Sequence, residues 1–416
     1  MSLSYLVAQL GARMHYGIPR LLHKAGMLEC LHTDLYAGSA FRKLLGAFPR
    51  SGGLARMKSR HASGLPDHSV VTFPMFGAHY AVRLRLARSE ADRGAAFLWA
   101  GSKFGKLVCS RGFGKATAVY TYNDAALEIL RYARMRGLFT VLEQTIAPLA
   151  AESELLDVER SKFPGWEVTD SGVSLLRERC CRQQAEWEAA DLIVCGSDFV
   201  MDGIRQAGGP ADRCRVVPYG FDGGSRPCPT RSVHQSTRAL PGGARKPLRV
   251  LTVGAVGLRK GTPYVWQAAR QMGRAAEFRM VGPIQLADQA RRDIGRDVQL
   301  LGPVPRNSVH EHYGWADVFL LPSICEGSAT VTYEALAAGL PVICTPNTGS
   351  VVTHGIDGFI VPPGDHHSIV KALESLLLPA KLQTMSGAAV EKASEFTLEA
   401  YGRRALAALA TEGALV

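Results

Sequence analysis

Short apolar runs alternate with helical patterns through most of this chain, and the alternation commits it to parallel strands joined by crossover helices. Near the start, Ser4 to Gln9 reads as a strand, Gly11 as its turn, and Tyr16 to Ala25 as a helix closed by Gly26. The unit recurs. Ala118 to Tyr122 reads as a strand, Ala125 to Arg136 as a helix ended by Gly137, and Phe139 to Leu142 as the next strand, with two more at Asp191 to Cys195 and Cys214 to Val217. Residues 223–247 are rich in Gly, Pro, Ser and Arg without apolar periodicity, the composition of a linker. Beyond them strands are expected at Leu248 to Val253, Glu277 to Val281, Val298 to Leu301, Val318 to Leu321, Pro341 to Thr345 and Phe359 to Val361, and a helix over Val370 to Leu378. The fold class is α/β: two Rossmann-like domains with mainly parallel sheets facing a cleft. The first spans 1–222 and regains a C-terminal helix from about 398 to 416; the second spans 248–397.

A chain of 416 residues is too long for one ordinary core and suits two. Its charge is lopsided. Residues 1–150 hold 20 basic and 8 acidic side chains against 28 and 29 in the remainder, so the net charge of +11 is an N-terminal property. Such a face suits anionic lipid, a phosphorylated acceptor or nucleic acid. Nine cysteines with no C-x-x-C pair fit reduced thiols in a cytosolic protein rather than a disulfide framework or zinc site. The N-terminal stretch makes a poor signal peptide, and no run approaches the ~20 apolar residues that span a bilayer.

The stretch VFLLPSICEGSATVTYEALAAGLPVICT, residues 318–345, concentrates the chemistry. A buried strand ends at Pro322, a Gly/Ser loop follows, and an Ala-rich helix begins near Thr330, placing Glu326 in the loop and Glu334 one turn into the helix. Backbone N–H groups around Gly327, Ser328, Ala329 and Thr330 would lie free at a helix N-terminus, an arrangement suited to a diphosphate. It falls at the carboxyl ends of the strands, where open α/β sheets bind ligands. Glu326 and Glu334 form an E-x7-E motif that resembles the retaining glycosyltransferases of family 4, also called glycosyl transferases group 1. The flanking text resembles that family too: VGAVGLRKG at 253–261, LLGPVPRNSVHEHYGWADVFLLPS at 300–323, GLPVICT at 339–345, GIDGFIVPPGD at 355–365, ADLIVCGSDFVMDGI at 190–204 and VVPYGFD at 216–222.

The resemblance implies the GT-B arrangement and transfer of a sugar from a nucleotide-diphosphate donor to a hydroxyl acceptor with retention, in polysaccharide, glycolipid or other glycoconjugate biosynthesis. It implies that Glu334 accepts from ribose hydroxyls, that Glu326 holds hydroxyls of the transferred sugar, and that Lys260 stabilises the departing diphosphate. Gly254 and Gly349 match donor-side glycines, and Gly11 would let backbone approach the phosphates. The chain departs from the pattern at three places. Ala255 stands where an arginine is usual, with Arg259 as candidate substitute. Gln144 stands where members often carry histidine, and glutamine cannot shuttle a proton. Thr353 stands where a Gly-Gly-x-x-Glu segment has its glutamate. Gln144 and Asp124 are the candidate acceptor-side residues.

No cofactor and no metal are expected, the nucleotide sugar being a co-substrate and basic side chains meeting its charge. The partners implied are that donor, a glycan or lipid-linked acceptor and an anionic membrane surface, with no nucleic acid. Localisation is expected to be cytoplasmic, peripheral at the inner face of the plasma membrane. The membrane expectation rests on residues 41–61, where Arg42, Lys43, Arg50, Arg56, Lys58 and Arg60 interleave with Phe41, Leu44, Leu45, Phe48, Leu54 and Met57. A non-catalytic family member serving as a partner subunit, and a nucleic-acid-binding protein, are the alternative readings. Gly112, Gly114 and Lys115 look phosphate-loop-like but lack the rest of that pattern.

Overall fold

A computed structural model describes residues 3–39, 60–167, 173–221 and 246–413. Most of the linker and of the 41–61 segment lies outside them.

The first sheet takes seven parallel strands: β1 (Tyr5–Gln9), β2 (Leu28–Thr33), β3 (Val70–Thr72), β4 (Ala118–Tyr122), β5 (Phe139–Gln144), β6 (Leu192–Cys195) and β7 (Cys214–Val216), in the order β3-β2-β1-β4-β5-β6-β7. The second takes β8 (Leu248–Val253), β9 (Ala276–Val281), β10 (Val298–Leu300), β11 (Val318–Leu321), β12 (Val342–Cys344) and β13 (Gly358–Ile360), in the order β10-β9-β8-β11-β12-β13. Helices cover both faces of each sheet, so the central strands are buried throughout and read as largely apolar runs, AVYTY in β4 and VFLL in β11. The two sheets have separate cores, one centred on Val7, Tyr120 and Val141 and the other on Val250, Phe278 and Leu320.

Each sheet reverses its winding once, between β1 and β4 and between β8 and β11. A crevice opens beyond the carboxyl ends of the strands at such a point, because successive crossovers leave on opposite faces. Gly11 and Asp124 lie at the first, Gly254 and Glu326 at the second.

The chain closes on itself at its C-terminal end. Helix Leu398–Gly413 buries Leu398, Tyr401, Ala405 and Leu409 in the first domain's core. Leu398 N donates to Phe221 O at 2.9 Å, and Arg404 donates to the carbonyls of Pro218 and Tyr219.

The pseudo-phosphate loop is structural. Gly112, at φ 84°, ends helix Glu90–Arg111, and Lys115 N donates to Glu29 Oε1 at 3.0 Å, so a carboxylate already fills the turn.

Candidate active site

The centre of the second domain's crevice is a three-residue charge cluster. Glu326 Oε1 receives Lys260 Nζ at 2.5 Å and Arg259 NH1 at 2.6 Å. Glycines make the approach feasible. A Cβ on Gly254 (φ 145°) would stand 3.0 Å from Lys260 Cε, and one on Gly261 (φ 69°) would stand 2.0 Å from Pro322 O. The turn Leu258–Lys260 can therefore lie flat on the end of β11. Arg259 points inward and grips the loop twice more, with its carbonyl accepting from Ile324 N at 2.9 Å and its NH1 donating to Cys325 O at 3.3 Å. Burial lowers the Lys260 pKa below the ordinary lysine value, and the Glu326 carboxylate opposes that fall. The result is a positive pair, Lys260 buried and Arg259 partly exposed, held by one carboxylate and able to exchange it for phosphate oxygens.

Glu334 lies in helix Thr330–Ala337, apart from that cluster's contacts. Its Oε2 accepts from Tyr313 OH at 2.9 Å, Arg306 stands 3.8 Å from Oε1, and a third of the side chain remains exposed. Neither Tyr313 nor Arg306 had a signal that distinguished it in the sequence.

Of the amides of the four supposed phosphate-facing residues, that of Ala329 is committed elsewhere, and Gly327 and Ser328 pack within the loop through other atoms. Ala329 N donates to Thr348 O at 3.2 Å, because the turn after β12 folds over the start of the helix. Ser328 Oγ contacts Gly349 O at 3.1 Å and Tyr333 OH at 2.9 Å. Gly327 O accepts from Ser197 Oγ of the first domain, and a Cβ on Gly327 would stand 1.9 Å from Thr145 O. Only Thr330 is exposed. Gly349, at φ 63°, belongs to the same knot, since a Cβ there would stand 2.1 Å from Gly327 O. The expectation of a free amide is corrected at Ala329 alone; through Gly327 the loop also packs on the first domain, and Thr330 opens the helix toward Glu334.

Across the crevice, Gly11 is at φ 75° with nothing within 4 Å of a Cβ, and its N–H donates to Asp34 Oδ1 at 2.9 Å. Gln144, the expected acceptor-side residue, is packed into the first domain. Its side chain is 0% exposed, donates to Ile146 O at 2.9 Å and accepts from Trp187 Nε1 at 3.0 Å, so packing consumes it. Asp124 stands at φ 72° after β4, with its Oδ2 accepting from Asn123 Nδ2 at 3.0 Å and its Oδ1 4.0 Å from Arg179. Glu186 holds this turn by accepting the N–H groups of Asp124, Ala126 and Leu127, and burial raises its pKa to about 8. Asn123 Oδ1 also accepts from Thr145 Oγ1, on which Arg13 donates at 3.0 Å.

The sequence reading missed Glu152, whose Oε1 stands 3.9 Å from Arg259 Nε. Burial raises its pKa, with Arg259 acting against that and Glu326 with it. It sits in LAAESELLDVERSK, where one charge among many looks like an ordinary solvated helix face.

Residues 247–378 match the family model described as glycosyl transferases group 1. The amylovoran biosynthesis glycosyltransferase AmsK of Erwinia amylovora is 31% identical over 32% of this chain and 36% of its own. The sulfoquinovosyl transferase SQD2 of Arabidopsis thaliana is 28% identical over 50% of this chain and 42% of its own, and the D-inositol 3-phosphate glycosyltransferase of Kineococcus radiotolerans is 28% identical over 57% and 62%. The chain thus matches less than two thirds of the length of each of these relatives. Among solved structures, a sucrose-phosphate synthase from Thermosynechococcus elongatus superposes with a TM-score of 0.63 over 100% of both chains at 16% identity. Anabaena HepE in complex with UDP and glucose gives 0.61 over 98% of this chain and 100% of its own, also at 16%. Such identities establish the fold, which is the two-domain GT-B arrangement.

Proposed function

We infer, proceeding from the membership of residues 247–378 in the group 1 glycosyltransferases, that this chain moves a sugar from a nucleotide-diphosphate sugar to a hydroxyl of a glycan or lipid-linked acceptor, with retention and without a metal. The observation that carries the reading is the meeting of Lys260 and Arg259 on Glu326 at the second domain's winding reversal. When a donor enters, its phosphate oxygens take over the two cations, and the freed carboxylate of Glu326 accepts from sugar hydroxyls. The bond between the sugar's anomeric carbon and the terminal phosphate oxygen breaks as charge builds on that oxygen, which is where a buried lysine and its neighbouring arginine act most strongly. The acceptor oxygen bonds to the same face, and its proton passes to the leaving phosphate. This route needs no protein base at Gln144. Glu334 fits ribose hydroxyls, its exposed third facing outward beside Tyr313. A partner-subunit role gives no reason for an intact Lys260–Glu326–Arg259 cluster.

The test is a screen of UDP-, GDP- and ADP-sugars in the presence of EDTA. Transfer with retained anomeric configuration is expected in full under chelation, and Glu334→Gln should weaken nucleotide binding by about 1 to 3 kcal/mol, since a charged acceptor becomes neutral. Loss of activity in EDTA restored by magnesium would overturn the metal-independent route, and unchanged calorimetric affinity in Glu334→Gln would remove the ribose assignment.

We further propose that the first domain docks on an anionic membrane, as suits a lipid-linked acceptor. No helix among the described residues is long and apolar enough to cross a membrane, so contact would be peripheral. Helix Pro74–Leu86 carries no acidic residue and exposes Met75 (88%), Val82 (53%) and Leu86 (70%) beside Arg83 and Arg85. This combination, with the basic excess of residues 1–150, suits a headgroup interface, where each cation contributes about 1 kcal/mol. Co-sedimentation with phosphatidylserine vesicles should fall with salt and drop when Arg42, Lys43, Arg56 and Lys58 become Ser. An absence of binding at low salt sinks the membrane role.

A further inference from the structure

Residues 149–167 leave the first domain as helix Leu149–Lys162 and end as an arm docked on the second. Phe163 meets Tyr264 edge-on at 5.6 Å, Trp166 meets Trp266 at 5.7 Å, and Ala287 N donates to Trp166 O at 2.7 Å. Three carboxylates project from this arm onto one short stretch, 258–264. Glu167 Oε1 accepts the Leu258 N–H at 2.7 Å, Glu159 Oε2 accepts from Tyr264 OH at 2.6 Å, and Glu152 stands 3.9 Å from Arg259 Nε. Glu159 is itself buried and paired with Lys162 at 2.9 Å.

That stretch begins with the basic turn. It is flanked by Gly257, extended, and Gly261, left-handed, residues that confer no stiffness of their own. Gly257 is also what admits the arm, because a Cβ there would stand 2.5 Å from Glu167 Oε1. A turn that must hold two like charges in one place, with a glycine at either end, needs its geometry fixed from outside.

We propose that the arm is a positioning element: Glu167, Glu159 and Glu152 seat the 258–264 stretch so that Lys260 and Arg259 stand ready for the donor's terminal phosphate. The inference rests on the nucleotide-diphosphate reading above. These glutamates act through the turn rather than on the sugar, and the contribution they control is the one made by the second phosphate.

Comparing a nucleoside diphosphate with its monophosphate isolates that contribution. UDP against UMP, and GDP against GMP, should be titrated calorimetrically into the full chain and into Glu167→Ala, Glu167→Gln and Glu152→Gln. The wild type should bind its preferred diphosphate more tightly than the monophosphate. Glu167→Ala should narrow that preference about tenfold with monophosphate affinity unchanged, and Glu152→Gln should narrow it as well. Glu167→Gln keeps an acceptor oxygen for Leu258 N–H and should recover most of the loss. An arm that merely glues the domains would lower the melting temperature and leave the ratio untouched in every variant, which would overturn the proposal. A wild type that binds neither these four nucleotides nor ADP would instead overturn the donor reading on which it stands.

Discussion

Lys260→Met should lower kcat by about two to three orders of magnitude, the scale measured when one preorganised charge-stabilising donor is removed from a transition state. Methionine keeps an apolar stem to pack over Gly254, so the lost element is the ammonium rather than the packing. The effect should fall mainly on kcat, because leaving-group charge is larger in the transition state than in the bound donor. Arg259 remains on Glu326 at 2.6 Å, which spares the carboxylate from being buried alone and limits the damage to stability. Circular dichroism should show an unchanged fold. Steady-state kinetics with the sugar donor that proves active are decisive, and a kcat within threefold of wild type would remove Lys260 from the chemistry.

What the sequence disclosed follows from where each signal resides. Strands β4, β8 and β11 were legible to the residue because they are covered on both faces, and short, predominantly apolar runs admit few other readings. Strand β2, LECLHT, carries polar residues through its length, and β3 spans only Val70–Thr72, so neither stood out. The charge cluster was half legible. Glu326, Lys260 and Arg259 were all named, but that they converge on one oxygen depends on two glycine turns whose shape only the fold supplies. The packing of Gln144 was not legible because its partner, Trp187, lies 43 positions away. Gly327 and Gly349 were named as donor-side positions, but the sequence held no sign that each also lies against backbone, Gly327 on Thr145 and Gly349 on Gly327. Glu152 and Glu167 were invisible for the general reason that a carboxylate in a charged helix or turn shows nothing of which surface it meets.

Gly327→Ala should depress transfer by a hundredfold or more while leaving both cores intact. The new methyl would stand 1.9 Å from Thr145 O and 2.9 Å from Ile146 Cα, and neither is a side chain that can rotate away. Either the domains part at this seam or the loop carrying Glu326 shifts, and a misplacement of about 1 Å near the reacting atoms can cost a hundredfold. Gly11→Ala provides the contrast. Nothing lies within 4 Å there, so its penalty is the left-handed backbone alone, about 1 to 2 kcal/mol. Nucleotide affinity should change little in Gly327→Ala, since Glu334 takes its hydrogen bond from Tyr313 on the far side of the helix start. Thermal unfolding together with kcat/KM for both variants separates the effects. Full transfer in Gly327→Ala would mean that the seam between Gly327 and Thr145 opens during turnover, and that the closed contact is not the catalytic arrangement.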